Sequence, residues 1–148
     1  MDGRRIEYTT SSDAETIAIA KKLALSTERG TVLALFGDLG SGKTTFVKGV
    51  ASAFNLSEDR VTSPTFSRLH LYEDKVAHFD LYQLSHGDEF FFCGFDEYLS
   101  FPLTCIEWPE LILPFLNEKK RIDVTLNHSR KGRKIRIEWL TQRPESFI

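Results

Sequence analysis

Residues 31–36, Thr-Val-Leu-Ala-Leu-Phe, run directly into Gly37-Asp38-Leu39-Gly40-Ser41-Gly42-Lys43-Thr44, and an amphipathic stretch follows. No other part of the chain restricts the fold as much. Six residues without polar alternation suit a strand covered on both faces, as in a parallel sheet. The eight residues after them satisfy GxxxxGK[ST] without a mismatch. Over 44–54, Phe46, Val47, Val50, Ala51 and Phe54 fall on one stripe, which predicts a helix. With glycine at about 7% of average usage, a chance match in a chain this long is expected on the order of once in a few hundred. Strand, glycine loop and helix in this order are the setting of a phosphate-binding loop.

The physical reasons are local. Gly37, Gly40 and Gly42 let successive backbone N–H groups turn towards one anion. The helix starting near Lys43 adds the positive end of its dipole. Lys43 is expected to reach the β- and γ-phosphates of ATP, and the Thr44 hydroxyl to ligate Mg²⁺. Asp38, Leu39, Gly40, Ser41, Gly42 and Thr45 complete the expected ATP-binding loop. Such a site needs a second protein ligand, usually a carboxylate ending a neighbouring strand. Two segments qualify: Val76-Ala-His-Phe-Asp80 and Leu103-Thr-Cys-Ile-Glu107. Either acid could be a surface charge past a strand, and spacing leaves open which holds metal and which positions water.

The rest of the chain can be laid out around this unit. Residues 4–9 predict an opening strand. Ser12-Asp13-Ala14-Glu15 reads as a capping box, with the Ser12 oxygen on the Glu15 N–H and the Glu15 side chain reaching back. A helix follows to Leu25, with Ile17, Ala20, Leu23 and Ala24 on one face. Ser63-Pro64 breaks the chain. Residues 66–72 and 75–81 predict two strands around a turn at Glu73 and Asp74. Residues 85–100 predict a helix interrupted at Gly94, and 103–108 a short buried strand. Ile122, Val124 and Leu126 alternate with polar residues, as do Ile135, Ile137 and Trp139, so 127–132 is expected to close a C-terminal β-hairpin. The class is α/β, in one domain over 1–148.

Composition narrows the setting. No apolar run approaches the roughly 20 residues of a membrane span, and MDGRRIEYTT lacks the apolar stretch of a signal peptide. Cys93 and Cys105 form neither a CxxC pair nor a metal-ligand spacing. The expected location is the cytosol, with no membrane partner. Between Lys119 and Arg136 eight basic residues stand against one acid, Asp123, leaving 11 Lys/Arg and 20 Asp/Glu elsewhere. A basic section on an acidic body could face nucleotide or RNA, and could equally be a solvated hairpin surface.

GDLGSGKTT (37–45), VTSPTF (61–66), HFDLYQL (78–84), CGFDEYL (93–99), IEWPE (106–110) and a late Gly132-Arg133 occur in this order. Together they resemble the TsaE (YjeE) family, bacterial ATPases of tRNA threonylcarbamoyladenosine biosynthesis. The resemblance runs over residues 12–137. It implies a three-layer P-loop fold, a mostly parallel central sheet flanked by helices. It also implies weak, Mg²⁺-dependent ATPase activity coupled to partner proteins of the TsaB and TsaD type, which transfer threonylcarbamoyl to the adenosine beside the anticodon. The basic hairpin would then be a candidate tRNA contact. Carried over by position, Lys43 binds phosphate, Thr44 and Glu107 ligate Mg²⁺, and Asp80 is a catalytic or metal-proximal acid. Trp108 borders the site, and Ser63, Pro64, Thr65 and Phe66 form a switch-like loop facing the γ-phosphate. Arg133 matches an arginine near the nucleotide, and Asp13 lies where the first helix begins beside it. The chain departs from the family at Gln83, where Arg is usual, and in the aromatic run Phe90-Phe91-Phe92, for which core packing is the expected use.

Other readings fare less well. A small-molecule kinase shares the loop, but 73–118 contains no arginine and only Lys75, so an arginine-rich lid has no material there. A GTPase would carry NKxD, which is missing. A module that senses ATP without useful hydrolysis stays open. His70, His78 and His86 fall eight apart, but zinc sites normally show closer pairs, and His78 is expected to pack or hydrogen-bond beside Asp80.

Overall fold

A computed structural model describes residues 4–147. In chain order the elements are β1 (Arg5–Thr10), α1 (Asp13–Leu25), β2 (Thr31–Phe36), α2 (Lys43–Ala53), β3 (Leu69–Tyr72), β4 (Val76–Asp80), α3 (Asp88–Phe92), β5 (Leu103–Glu107), β6 (Arg121–Ser129) and β7 (Gly132–Trp139). The strands form one sheet in the order β1-β7-β6-β2-β5-β4-β3. Its centre, β6-β2-β5-β4, is parallel; β3 at one edge and β7 and β1 at the other run antiparallel to their neighbours.

Burial explains the apolar runs. Side chains alternate across a strand, so each central strand feeds two cores. Leu33, Leu35, Val76, Leu103, Cys105 and Val124 pack under α1 and α2. Val32, Ala77, Phe79 and Ile106 pack on the opposite face with Phe90, Ile112 and Leu116. The two helices touch closely at Gly49, where an added Cβ would overlap the Ile17 carbonyl. Ser12 caps α1 as expected, its Oγ accepting from Glu15 N at 3.2 Å. The return bond of the box lands one residue early: Glu15 Oε1 accepts from Ser11 N and Ser11 Oγ, both at 2.6 Å. These bonds hold the Glu15 carboxyl below the usual range.

Three sequence expectations shift. The strand expected over 66–72 begins only at Leu69, because 61–68 turns, with Arg68 at φ +66. The segment 85–100 is α-helical only in α3 and continues as a 3-10 helix, Phe95–Ser100, after Gly94 at φ +72. The hairpin is longer than its hydrophobic pattern, since Asn127, His128 and Ser129 stay paired with Lys134, Arg133 and Gly132 and leave a two-residue connection. Of the three phenylalanines, Phe90 is buried in the second core, Phe91 lies against Phe115, and Phe92 is 88% exposed.

Candidate functional site

The loop after β2 crosses the carboxyl ends of the parallel strands, where α/β sheets place ligands. Gly37 (φ +147) passes so close to β6 that a Cβ would sit 2.5 Å from both Leu126 O and Ser41 Oγ. Gly42 begins α2 in the left-handed region without a side-chain cap, so side chains leave the first N–H groups of that helix free to meet an anion. Lys43 is buried, its Nζ donating to Gly37 O at 2.6 Å and lying 3.6 Å from the Trp108 ring centroid. No carboxylate forms an ion pair with it among the described residues. Burial lowers the Lys43 pKa, and the fields of Glu107, Asp80, Glu110 and Asp38 oppose that shift. Trp108 takes φ +58, rare for a bulky side chain, immediately after β5.

The two candidate acids end adjacent parallel strands and are register partners. Val76 faces α2, so by alternation His78 and Asp80 do too. Glu107 Oε2 accepts from Thr44 Oγ1 at 3.1 Å and meets His78 Nε2 at 2.6 Å. Asp80 Oδ2 accepts from Ser63 Oγ at 3.2 Å, and its Oδ1 from Tyr82 N at 3.0 Å. From the hairpin, Arg133 Nη2 donates to Gly40 O at 3.1 Å, while its buried Nε has no partner among the described residues.

These groups line one cleft of about 390 Å³. It gathers Asp13, Leu39, Gly40, Gly42, Lys43, Thr44, Thr45, Ser63, Thr65, Asp80, Glu107, Trp108 and Arg133. Asp38, Ser41, Pro64 and Phe66 are not among its lining residues. Ser41 is buried with its Oγ unpaired among the described residues, and Phe66 is 93% exposed. Tyr82, which sequence reasoning did not single out, also lines the cleft, its ring 4.8 Å from that of Trp108. Its signal was its place two residues beyond Asp80. The basic section divides: β6 carries Arg121 at the edge away from the cleft and leads to Arg130, Lys131 and Arg133 at the near end.

The donor set fits Mg²⁺ with a nucleotide. A hydroxyl and a carboxylate are hard oxygen ligands, and Mg²⁺ usually takes one or two of these with phosphate oxygens and water. No group of three or more His, Cys, Asp or Glu suited to a metal occurs among the described residues. The unpaired Arg133 Nε and the Lys43 ammonium suit an anion beside that metal.

A family model described as "Threonylcarbamoyl adenosine biosynthesis protein TsaE" matches residues 10–135. The chain belongs to the TsaE family. The tRNA threonylcarbamoyladenosine biosynthesis protein TsaE of Bacillus subtilis is 41% identical over 113 residues, 74% of this chain and 70% of that protein. The TsaE of Rickettsia conorii is 34% identical over 137 residues, covering 82% and 78%. The crystal structure of Bacillus subtilis YdiB aligns with a TM-score of 0.73 at 30% identity, over 93% of this chain and 86% of that one. The family expected from SPTF, HFDLY and IEWPE is therefore the one found, and the TsaE-family fold is α/β with a parallel centre flanked by helices. No helix among the described residues is long and apolar enough to cross a membrane.

Proposed function

We propose that this TsaE-family chain binds Mg²⁺-ATP in the cleft and hydrolyses it slowly, as a cytoplasmic subunit working with TsaB- and TsaD-type proteins in threonylcarbamoyl modification of tRNA. The observation that carries the reading is the pairing of Asp80 and Glu107 at adjacent strand ends, with Thr44 3.1 Å from Glu107. The continuous sheet supports a single working domain over 1–148.

Each residue has a physical task in this reading. Backbone N–H groups of 38–44 cradle the phosphates. Lys43, already desolvated, offers its charge to the phosphoryl oxygens, where a low dielectric strengthens the attraction. Thr44 and Glu107 hold the metal, and Mg²⁺ when bound neutralises charge on the β- and γ-phosphates. Asp80, fixed by Ser63 and the Tyr82 N–H, orients the attacking water. Arg133 and Asp13 close the hairpin and α1 sides, Trp108 and Tyr82 screen the cleft from bulk water, and 63–66 answers to the γ-phosphate. The basic hairpin tip is the candidate tRNA contact.

The test is hydrolysis by the purified chain, alone and with its partner subunits, with tRNA modification followed in parallel. Slow turnover alone that accelerates in the complex supports the reading. Phosphate transferred to a small-molecule acceptor would establish a kinase instead, and nucleotide-dependent modification without hydrolysis a sensing module.

A further inference from the structure

A hydrogen-bonded line runs from Glu107 into the sheet, and no step above uses it. Glu107 Oε2 meets His78 Nε2 at 2.6 Å, and His78 Nδ1 meets the Tyr72 hydroxyl at 2.9 Å. That hydroxyl also lies 3.3 Å from Thr62 O, the carbonyl just before the 63–66 loop. His70, the register partner of His78, reaches Thr62 O from its Nδ1 at 3.1 Å. His78 is fully buried, where an imidazole is tolerated only with its polar atoms partnered.

The contacts assign the protons. Burial pushes the Tyr72 phenol up to about 12, so it keeps its proton. That proton is within reach of two acceptors, Thr62 O at 3.3 Å and His78 Nδ1 at 2.9 Å, and His70 Nδ1–H also donates to Thr62 O. A carboxylate oxygen only accepts, so His78 Nε2 carries a proton and donates to Glu107. Thr44 and His78 therefore both donate to Oε2, while Oε1 accepts no bond among the described residues.

We propose that His78 is a positioning residue: its Nε2–H holds the Glu107 carboxylate in its metal-binding orientation, and Tyr72 ties the same imidazole to the base of the 63–66 loop. The inference rests on the reading of Glu107 as a metal ligand. Outer partners of this kind typically change metal affinity by about 10–100-fold when removed.

The experiment titrates Mg²⁺ into the full chain with ADP and compares ADP affinity in EDTA. His78→Asn keeps a polar amide atom near Nδ1 and loses the N–H facing Glu107, whereas His78→Gln places an amide N–H near Nε2. The expected result is a Mg²⁺ midpoint about tenfold weaker for His78→Asn and within roughly threefold of wild type for His78→Gln. Affinity in EDTA should match wild type for both. Equal shifts in the two variants, or a parallel loss in EDTA, would reduce His78 to packing and overturn the proposal. If His78→Asn does not fold, Tyr72→Phe decides, with a shift of roughly threefold expected and none overturning the proposal. Glu107→Gln separates the two levels. An unchanged Mg²⁺ titration there overturns the metal reading as well, whereas a shift there beside an unshifted His78→Asn overturns the positioning role alone.

Discussion

Replacing Gly49 by alanine sets helix propensity against packing, and the structure decides the sign. In a free helix the substitution would stabilise by about 1 kcal/mol. Here the new Cβ would stand 2.6 Å from Ala20 Cβ and overlap the Ile17 carbonyl oxygen. Carbon pairs rest at about 3.5–4.0 Å, so α1 must retreat by roughly 1 Å. The obstacle is backbone, which cannot swing aside as a side-chain tip would. Retreat loosens Ala20, Leu23, Val47 and Val50, all fully buried. Overpacking of this kind costs about 1–3 kcal/mol or more, and because these α1 contacts open together the upper end applies. Against the propensity gain, a net loss of about 1–2 kcal/mol is expected. Urea unfolding should show a lower midpoint at unchanged slope. ADP affinity should fall as well, since α1 carries Asp13 to the rim of the cleft. A midpoint equal to or above that of wild type would refute the claim that helix contact fixes this glycine.

Phe79→Ala should cost about 3–5 kcal/mol in urea unfolding, because the fully buried ring packs on Phe90 and Phe95 at 5.2 Å each and leaves a cavity when removed. Ser12→Ala should cost about 1 kcal/mol by the same assay through loss of the α1 cap. Because burial lowers the Lys43 pKa and bound phosphates favour its protonated form, ADP affinity should be full below that pKa and fall as pH rises through it, at a pH below the ordinary lysine range. Calorimetry should detect proton uptake on that limb. Stability of the nucleotide-free fold has the opposite slope, because the unfolded state holds the Lys43 proton more tightly. The Lys43 contribution is therefore full above the ordinary lysine pKa and is lost as pH falls through the folded value.

The parts of the site that lie within one continuous segment were legible in the sequence. Gly37 to Thr44 announced themselves because a phosphate cradle is built from consecutive backbone. Asp80 and Glu107 could be read as acids ending apolar strands, but not as register partners, because pairing β4 with β5 is a tertiary fact. For the same reason His78 was legible only as a packing or hydrogen-bonding residue near Asp80. Its bond to Glu107 crosses 29 positions of sequence. Tyr82 enters the cleft through the turn after β4 and carries no chemical signal of its own. In the fold, continuous apolarity identified β2 because both faces are covered. Residues 85–100 misled because Phe90 to Phe92 look helical, while Gly94 and the packing of Phe95 on Phe79 favour a tighter 3-10 turn. The hairpin ran past its hydrophobic pattern because polar Asn127 to Ser129 pair through backbone, which no side-chain alternation reports.

Mg²⁺-ATP binding to wild type and Lys43→Ala, measured by calorimetry at one salt concentration, tests the phosphate site most directly. The loss expected for the variant is on the order of a hundredfold, because a desolvated charge facing the phosphates is removed. Equal affinity in the two proteins, with the fold intact by circular dichroism, would place the phosphates elsewhere and contradict the site.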